Sequence, residues 1–121
     1  MATNTILVAD DSPTELRMVL NALQKKGYHT VSAVDGEEAI EKANSEKPSL
    51  AILDIVMPKK NGFQVTRHLK TTPETQNIKV LLLSSKDQES DRFWGMKQGA
   101  DDYITKPFED EALLAAVARL L

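Results

Sequence analysis

Cysteine is absent from the chain. That excludes disulfides and thiolate metal ligation, and it suits a reducing cytosol, the compartment expected here. No stretch approaches the roughly 20 consecutive apolar residues that a bilayer-spanning helix needs. The opening Met1-Ala2-Thr3-Asn4-Thr5 has no basic segment leading into an apolar one, so no signal peptide is visible. Clustered basic charge is missing too. Lys25-Lys26 and Lys59-Lys60 are short pairs in mixed-sign sequence, and no basic stripe is available to track nucleic-acid phosphates. Neither nucleic acid nor a membrane is therefore expected as a partner. Repeats, linkers and low-complexity tracts are lacking as well. What remains is a globular composition: 41% hydrophobic, 27% charged and a net charge of −3 over 121 residues. This is enough for one core, and the expectation is a single domain, 1–121.

Short apolar runs alternate with longer amphipathic ones. Thr5 to Ala9 reads as a buried strand, and Pro13 opens a helix with Leu16, Val19, Leu20 and Leu23 on one stripe. Gly27 is its expected left-handed cap. Tyr28 to Ala33 reads as a second strand. Asp35 and Glu38 have capping-box spacing at the head of a helix carrying Ala39, Ile40 and Ala43, which stops before Pro48. Leu50 to Leu53, ending at Asp54, is a third strand, and Phe63 to Lys70 a short helix. A polar loop follows, 71–77. Ile78 to Leu83 is a fourth strand leading into Ser84-Ser85. A helix covers about Gln88 to Gln98, with Gly99 as its cap. Asp102 to Thr105 is a fifth strand, broken by Lys106-Pro107. The last helix, from about Asp110, places Leu113, Leu114, Val117, Leu120 and Leu121 on one face. Strict strand–helix alternation with continuously apolar strands argues for an α/β doubly wound, five-stranded parallel sheet with right-handed crossovers.

The chemistry-bearing residues fall at the carboxyl ends of these strands. Asp10-Asp11 follows the first strand, Asp54 the third, Ser84 the fourth and Lys106 the fifth. Open α/β sheets bind ligands at that edge, where the strand order reverses; in an order 2-1-3-4-5, strands one and three flank the reversal. Converging carboxylates repel one another without a cation. An oxygen-only donor set selects a hard ion, and Mg²⁺ suits a few carboxylates with waters and a phosphate. A carboxylate can itself accept a phosphoryl group as an aspartyl phosphate. Lys106 can then pair with one phosphoryl oxygen and the Ser84 hydroxyl can donate to another. Taken singly, each residue has a plainer reading. A strand-end Asp is commonly a cap or turn former, Ser84 a turn residue, Lys106 a solvated lysine, Tyr103 packing, and Trp94 partial core. The joint pattern outweighs them, because four strand ends each supply a group that one phosphoryl site can use.

At these residues the chain resembles the receiver domains of two-component response regulators, and it looks like CheY-type stand-alone receivers. The resemblance runs from about Ile6 to Leu120. It rests on Asp10-Asp11, Asp54 in Leu-Asp-Ile-Val-Met-Pro, Asn61-Gly62, Ser84, Gly99-Ala100-Asp101 and Lys106-Pro107-Phe108. The stretch from Asp91 to Ala100 looks more particularly like PilH-type receivers of twitching-motility and chemotaxis-like systems. The resemblance, not the spacing, implies the flavodoxin-like order 2-1-3-4-5, for which CheY is a standard example. It implies Asp54 as phosphoacceptor, with Asp11, Asp54 and the backbone carbonyl of Val56 ligating Mg²⁺ (Mn²⁺ can substitute) and Asp10 acting through a metal-bound water. It implies Ser84 and Tyr103 as a switch pair, Lys106 as the phosphate-sensing lysine, and a cis Lys106–Pro107 bond. The implied partners are a CheA-like sensor histidine kinase and a protein target. The target would bind a monomer at helix 4, strand 5 and helix 5, a face that draws on Phe93, Trp94, Lys97, Tyr103 and parts of Glu109 to Arg119. No output domain and no enzymatic turnover beyond the chain's own phosphorylation and dephosphorylation are expected.

Three other readings share parts of this pattern. An aspartyl-phosphate phosphatase needs Asp-x-Asp after the first strand and a substrate cap; here Asp10-Asp11-Ser12 stands there, with no spare length for a cap. A phosphorylation-independent docking module usually lacks an acidic residue or the lysine, all of which are present. A flavodoxin binds FMN phosphate with a Ser/Thr/Gly-rich loop, where Asp10-Asp11-Ser12-Pro13 would repel it.

Overall fold

The computed structural model of the chain describes residues 4–85 and 88–121. Ten elements alternate: β1 (Thr5–Ala9), α1 (Pro13–Lys25), β2 (His29–Ala33), α2 (Gly36–Glu46), β3 (Leu50–Asp54), α3 (Gly62–Thr71), β4 (Lys79–Ser84), α4 (Glu89–Lys97), β5 (Asp102–Thr105) and α5 (Asp110–Leu120). The strands form one parallel sheet in the order β2-β1-β3-β4-β5. β1 pairs with both β2 and β3, so the chain reverses direction across the sheet between β1 and β3.

Strand side chains alternate between two cores, because successive residues of a strand point to opposite faces. Leu7, Ala9, Ala51, Leu53, Val80 and Leu82 join one cluster with residues of α2 and α3. Ile6, Val8, Leu50, Ile52, Leu81 and Leu83 join the other with residues of α1 and α5. β3, in the middle, is buried along its whole length. Each fully buried Leu or Ile stabilises the fold by about 1.5–3 kcal/mol relative to exposure.

Helix ends follow local chemistry, with some departures from the expected caps. Pro13 opens α1, and the Ser12 side chain accepts from the Glu15 N–H. Gly27 has φ +87°, as expected of a left-handed cap. At α2, Asp35 accepts from the Glu38 N–H, but Glu38 accepts from Val34 N–H rather than from Asp35, so the box closes one residue early. The reciprocal capping box sits instead at α3, between Asn61 and Gln64. At the last helix, Leu121 lies past α5 and is 40% exposed, not on the buried face with Leu113 and Val117. Trp94 is not partial core either. α4 buries only Gly95 and leaves Phe93, Trp94 and Met96 exposed. A Cβ at Gly95 would stand 2.8 Å from Leu82 Cδ1 and 3.3 Å from a Tyr103 ring carbon, so the helix sits on the sheet through its backbone. Among the described residues, no helix is long and apolar enough to cross a membrane.

Candidate active site at the carboxyl edge of the sheet

The edge beyond β1, β3, β4 and β5 collects the expected residues. Asp10 leaves β1 with its N–H donated to the Ala33 carbonyl, which holds it against β2. Its Oδ1 accepts from the Ser12 N–H at 2.9 Å. Asp54 ends β3 opposite Leu83 of β4, and Ser84 lies one residue further on β4, fully buried. Lys106 follows β5. Its N–H donates to the Ser84 carbonyl at 2.7 Å, and the Lys106–Pro107 bond is cis, as the resemblance implies.

Lys106 lies at the centre of the cluster. Its Nζ is 3.0 Å from Asp10 Oδ2, 3.1 Å from Glu15 Oε2 and 3.4 Å from Asp54 Oδ1. Asp10 and Asp54 are buried while Asp11 is exposed. All three offer carboxylate oxygens within 4.8 Å of one another. Burial pushes the Asp54 carboxyl up from its ordinary 3.8 to about 6; Lys106 pulls against this, while Asp10 and Glu15 add to it. Burial alone would lower the Lys106 ammonium, but Asp10, Asp54 and Glu15 outweigh it and hold the group above its ordinary value. Three carboxylates meet one lysine, with Asp11 beside them, so the cluster has an excess of negative charge.

That excess and the all-oxygen donor set fit a hard divalent cation. The fit is to Mg²⁺ in kind: a few carboxylates, no nitrogen or sulfur donor, and an exposed side at Asp11. Val56, two residues past Asp54, is exposed on the same loop. Gly62 sets how closely α3 approaches this loop. A Cβ there would be 2.5 Å from the Asp54 carbonyl oxygen and 2.9 Å from Ile55 Cα, and its N–H donates to the Ile55 carbonyl. Only glycine lets the head of α3 pack this closely against the end of β3.

Tyr103, the other expected switch residue, is on β5 with its ring buried. It faces α4, with the Arg92 guanidinium 5.3 Å from the ring centre. Asp102 beside it pairs with Arg92 at 3.9 Å and with Arg119 of α5. One carboxylate therefore ties α4 and α5 to β5. The expected residues thus fall into two groups. Asp10, Asp11, Asp54 and Lys106 make one contiguous cluster. Ser84 borders it at the end of β4, and Tyr103 lies further along, under α4.

Glu15 is the residue that the sequence reading lacks. Its signal was present as Ser12-Pro13-Thr14-Glu15, the spacing of a capping box in which the Glu accepts from the Ser N–H. Here Asp10 already occupies the Ser12 N–H. Glu15 is released from that task and reaches Lys106 instead. Next to it, an apolar groove of about 340 Å³ is lined by Met18, Val19, Pro107 and Phe108, with Glu15 and Lys106 at its polar end.

Comparison with known proteins agrees with this fold. The response regulator receiver domain family matches residues 6–118. Protein PilH of Pseudomonas aeruginosa is 45% identical over 116 residues, covering 96% of each chain. The phosphate regulon transcriptional regulatory protein PhoB of Escherichia coli is 36% identical over 121 residues, and this chain spans 52% of its length. Among solved structures, the chemotaxis protein CheY4 of Vibrio cholerae superposes with a TM-score of 0.93 at 31% identity, covering 99% of this chain and all of that one.

Proposed function

The chain belongs to the response regulator receiver domain family, and from that premise we propose that it is a switch set by phosphorylation of Asp54. The observation that carries the reading is the convergence of the Asp54 carboxylate with one lysine and two further aspartates at the carboxyl edge of the sheet. A histidine kinase presents a phosphohistidine. An Asp54 oxygen forms the new O–P bond as the donor's P–N bond breaks, with the electron pair going to the imidazole. Asp11, Asp54 and the Val56 carbonyl would hold Mg²⁺, with Asp10 acting through a metal-bound water, and the ion would supply charge neutralisation at the phosphoryl oxygens. Lys106 pairs with one of those oxygens and Ser84 donates to another. Hydrolysis of the acyl phosphate resets the switch.

The added group carries about −1.5 to −2 charge. It shifts a two-state equilibrium through its contacts with Ser84 and Lys106, with Tyr103 responding under α4. Output is a change in binding of a protein at the α4–β5–α5 face, where Phe93 and Trp94 stand exposed. Similarity to PilH and CheY4 favours a chemotaxis-like or pilus-motility pathway. Intact mass after incubation with acetyl phosphate and Mg²⁺ tests the reading. The expected result is one phosphoryl group on the wild type, lost in Asp54→Asn and in EDTA. A wild type that stays unmodified by both acetyl phosphate and a phosphorylated kinase would sink it.

A further inference from the structure

We propose that Glu15 is a placeholder for the phosphoryl group: it holds Lys106 in the unphosphorylated protein and must release it before phosphorylation is complete. The proposal rests on the phosphorylation reading above and adds a residue to it. An ammonium has three N–H donors. On Lys106 they face Asp10 at 3.0 Å, Glu15 at 3.1 Å and Asp54 at 3.4 Å. The lysine is itself mostly buried, with 11% of its side chain exposed, so water cannot readily substitute for a lost partner. A phosphoryl oxygen on Asp54 can gain a Lys106 bond only if one of these contacts yields.

Glu15 is the contact free to yield. Asp10 is fixed by the Ser12 N–H and by burial, and Asp54 carries the incoming group. Glu15 stands on the first turn of α1 with 47% of its side chain exposed, and its only described side-chain contact is Lys106. It can swing into solvent at little cost, whereas neither aspartate can. The exchange also keeps the charge at Lys106 balanced, since one anion replaces another. Glu15 therefore slows loading of the site, because its bond must break as the phosphoryl bond forms. An exposed ion pair of this kind corresponds to about a two- to fivefold effect on rate.

Glu15→Gln, Glu15→Asp and Glu37→Gln, the last an exposed acidic residue on α2, separate this role from simple charge repulsion. Two readouts apply. The first is the side-chain ammonium NMR signal of Lys106 in metal-free protein, which reports whether the lysine is held. Glu15→Gln and the shorter Glu15→Asp should both lose at least half its intensity, while Glu37→Gln matches wild type. The second is the rate of phosphorylation by acetyl phosphate with Mg²⁺, by intact mass. Both Glu15 variants should be about two- to fivefold faster than wild type and Glu37→Gln unchanged. If Glu15→Asp keeps the wild-type rate while Glu15→Gln is fast, repulsion of the anionic donor is the cause and the proposal fails. An unchanged Lys106 signal in both Glu15 variants also overturns it. The NMR readout needs no phosphoryl transfer, so it still decides whether Glu15 holds Lys106 even in a chain that accepts no phosphate.

Discussion

β3 and α4 lie on opposite terms with the rest of the molecule. β3 is buried at every residue and hydrogen-bonded on both sides, and it delivers Asp54 at its end. Among the described residues, α4 has no side-chain cap; it buries one glycine and turns two aromatics and a methionine outward. Local stability follows the number of buried apolar contacts, so β3 opens only with global unfolding while α4 can shift on its own. On the proposed function, the phosphoacceptor stands where the chain cannot move and the output face where it can.

Truncation in β3 should show the contrast most strongly. Leu53→Ala removes buried atoms from a fully enclosed position and should cost about 2–5 kcal/mol in urea unfolding. A value under about 1 kcal/mol would mean that β3 is no more rigid than α4. Next in size is the effect of ionising Asp54. Its carboxyl sits at about 6 in the fold against an ordinary 3.8, so folding favours the protonated form. That contribution is complete below pH 3.8 and is lost as pH rises through 6, about 3 kcal/mol in all. Lys106 is charged throughout this window and adds no slope. Metal-free stability should fall between pH 4 and 6 in the wild type, stay flatter in Asp54→Asn, and recover with Mg²⁺; equal slopes in the two proteins would refute the assignment. Gly62→Ala comes third. Its Cβ would meet the Asp54 backbone, and overpacking of this kind costs about 1–3 kcal/mol. Loss of phosphorylation beyond the loss of stability would show that the loop also sets the geometry of the site. The smallest effects belong to α4. Phe93→Ala and Trp94→Ala should change stability by no more than about 0.5 kcal/mol yet weaken binding of the target. A large stability loss from either would place that side chain in the core after all.

The sheet was legible in the sequence because continuous apolar runs such as Leu50-Ala51-Ile52-Leu53 have few other homes. The acidic cluster was legible because strand ends locate it: Asp10, Asp54 and Lys106 each follow a run that had to be a strand. Trp94 was placed on an exposed face by the resemblance, not by its own chemistry. Composition favours burying an aromatic, and only the packing shows that Gly95 takes the inward position. Glu15 went unread because its bond crosses from residue 15 to residue 106, and a sequence pattern of three or four residues carries no information at that range. Leu121 fell off its predicted face because helical periodicity does not say where a helix ends.

The single carboxylate of Asp102, shared by Arg92 and Arg119, has a consequence for working conditions. Both arginines are more than half exposed, so mobile ions screen their attraction to Asp102 over about 8–10 Å at physiological ionic strength. Asp10 and Asp54 beside Lys106 are buried and feel those ions far less. Raising salt should therefore loosen α4 and α5 from β5 more than it disturbs the contacts of Lys106 with Asp10 and Asp54, so ionic strength acts first on the face proposed for output.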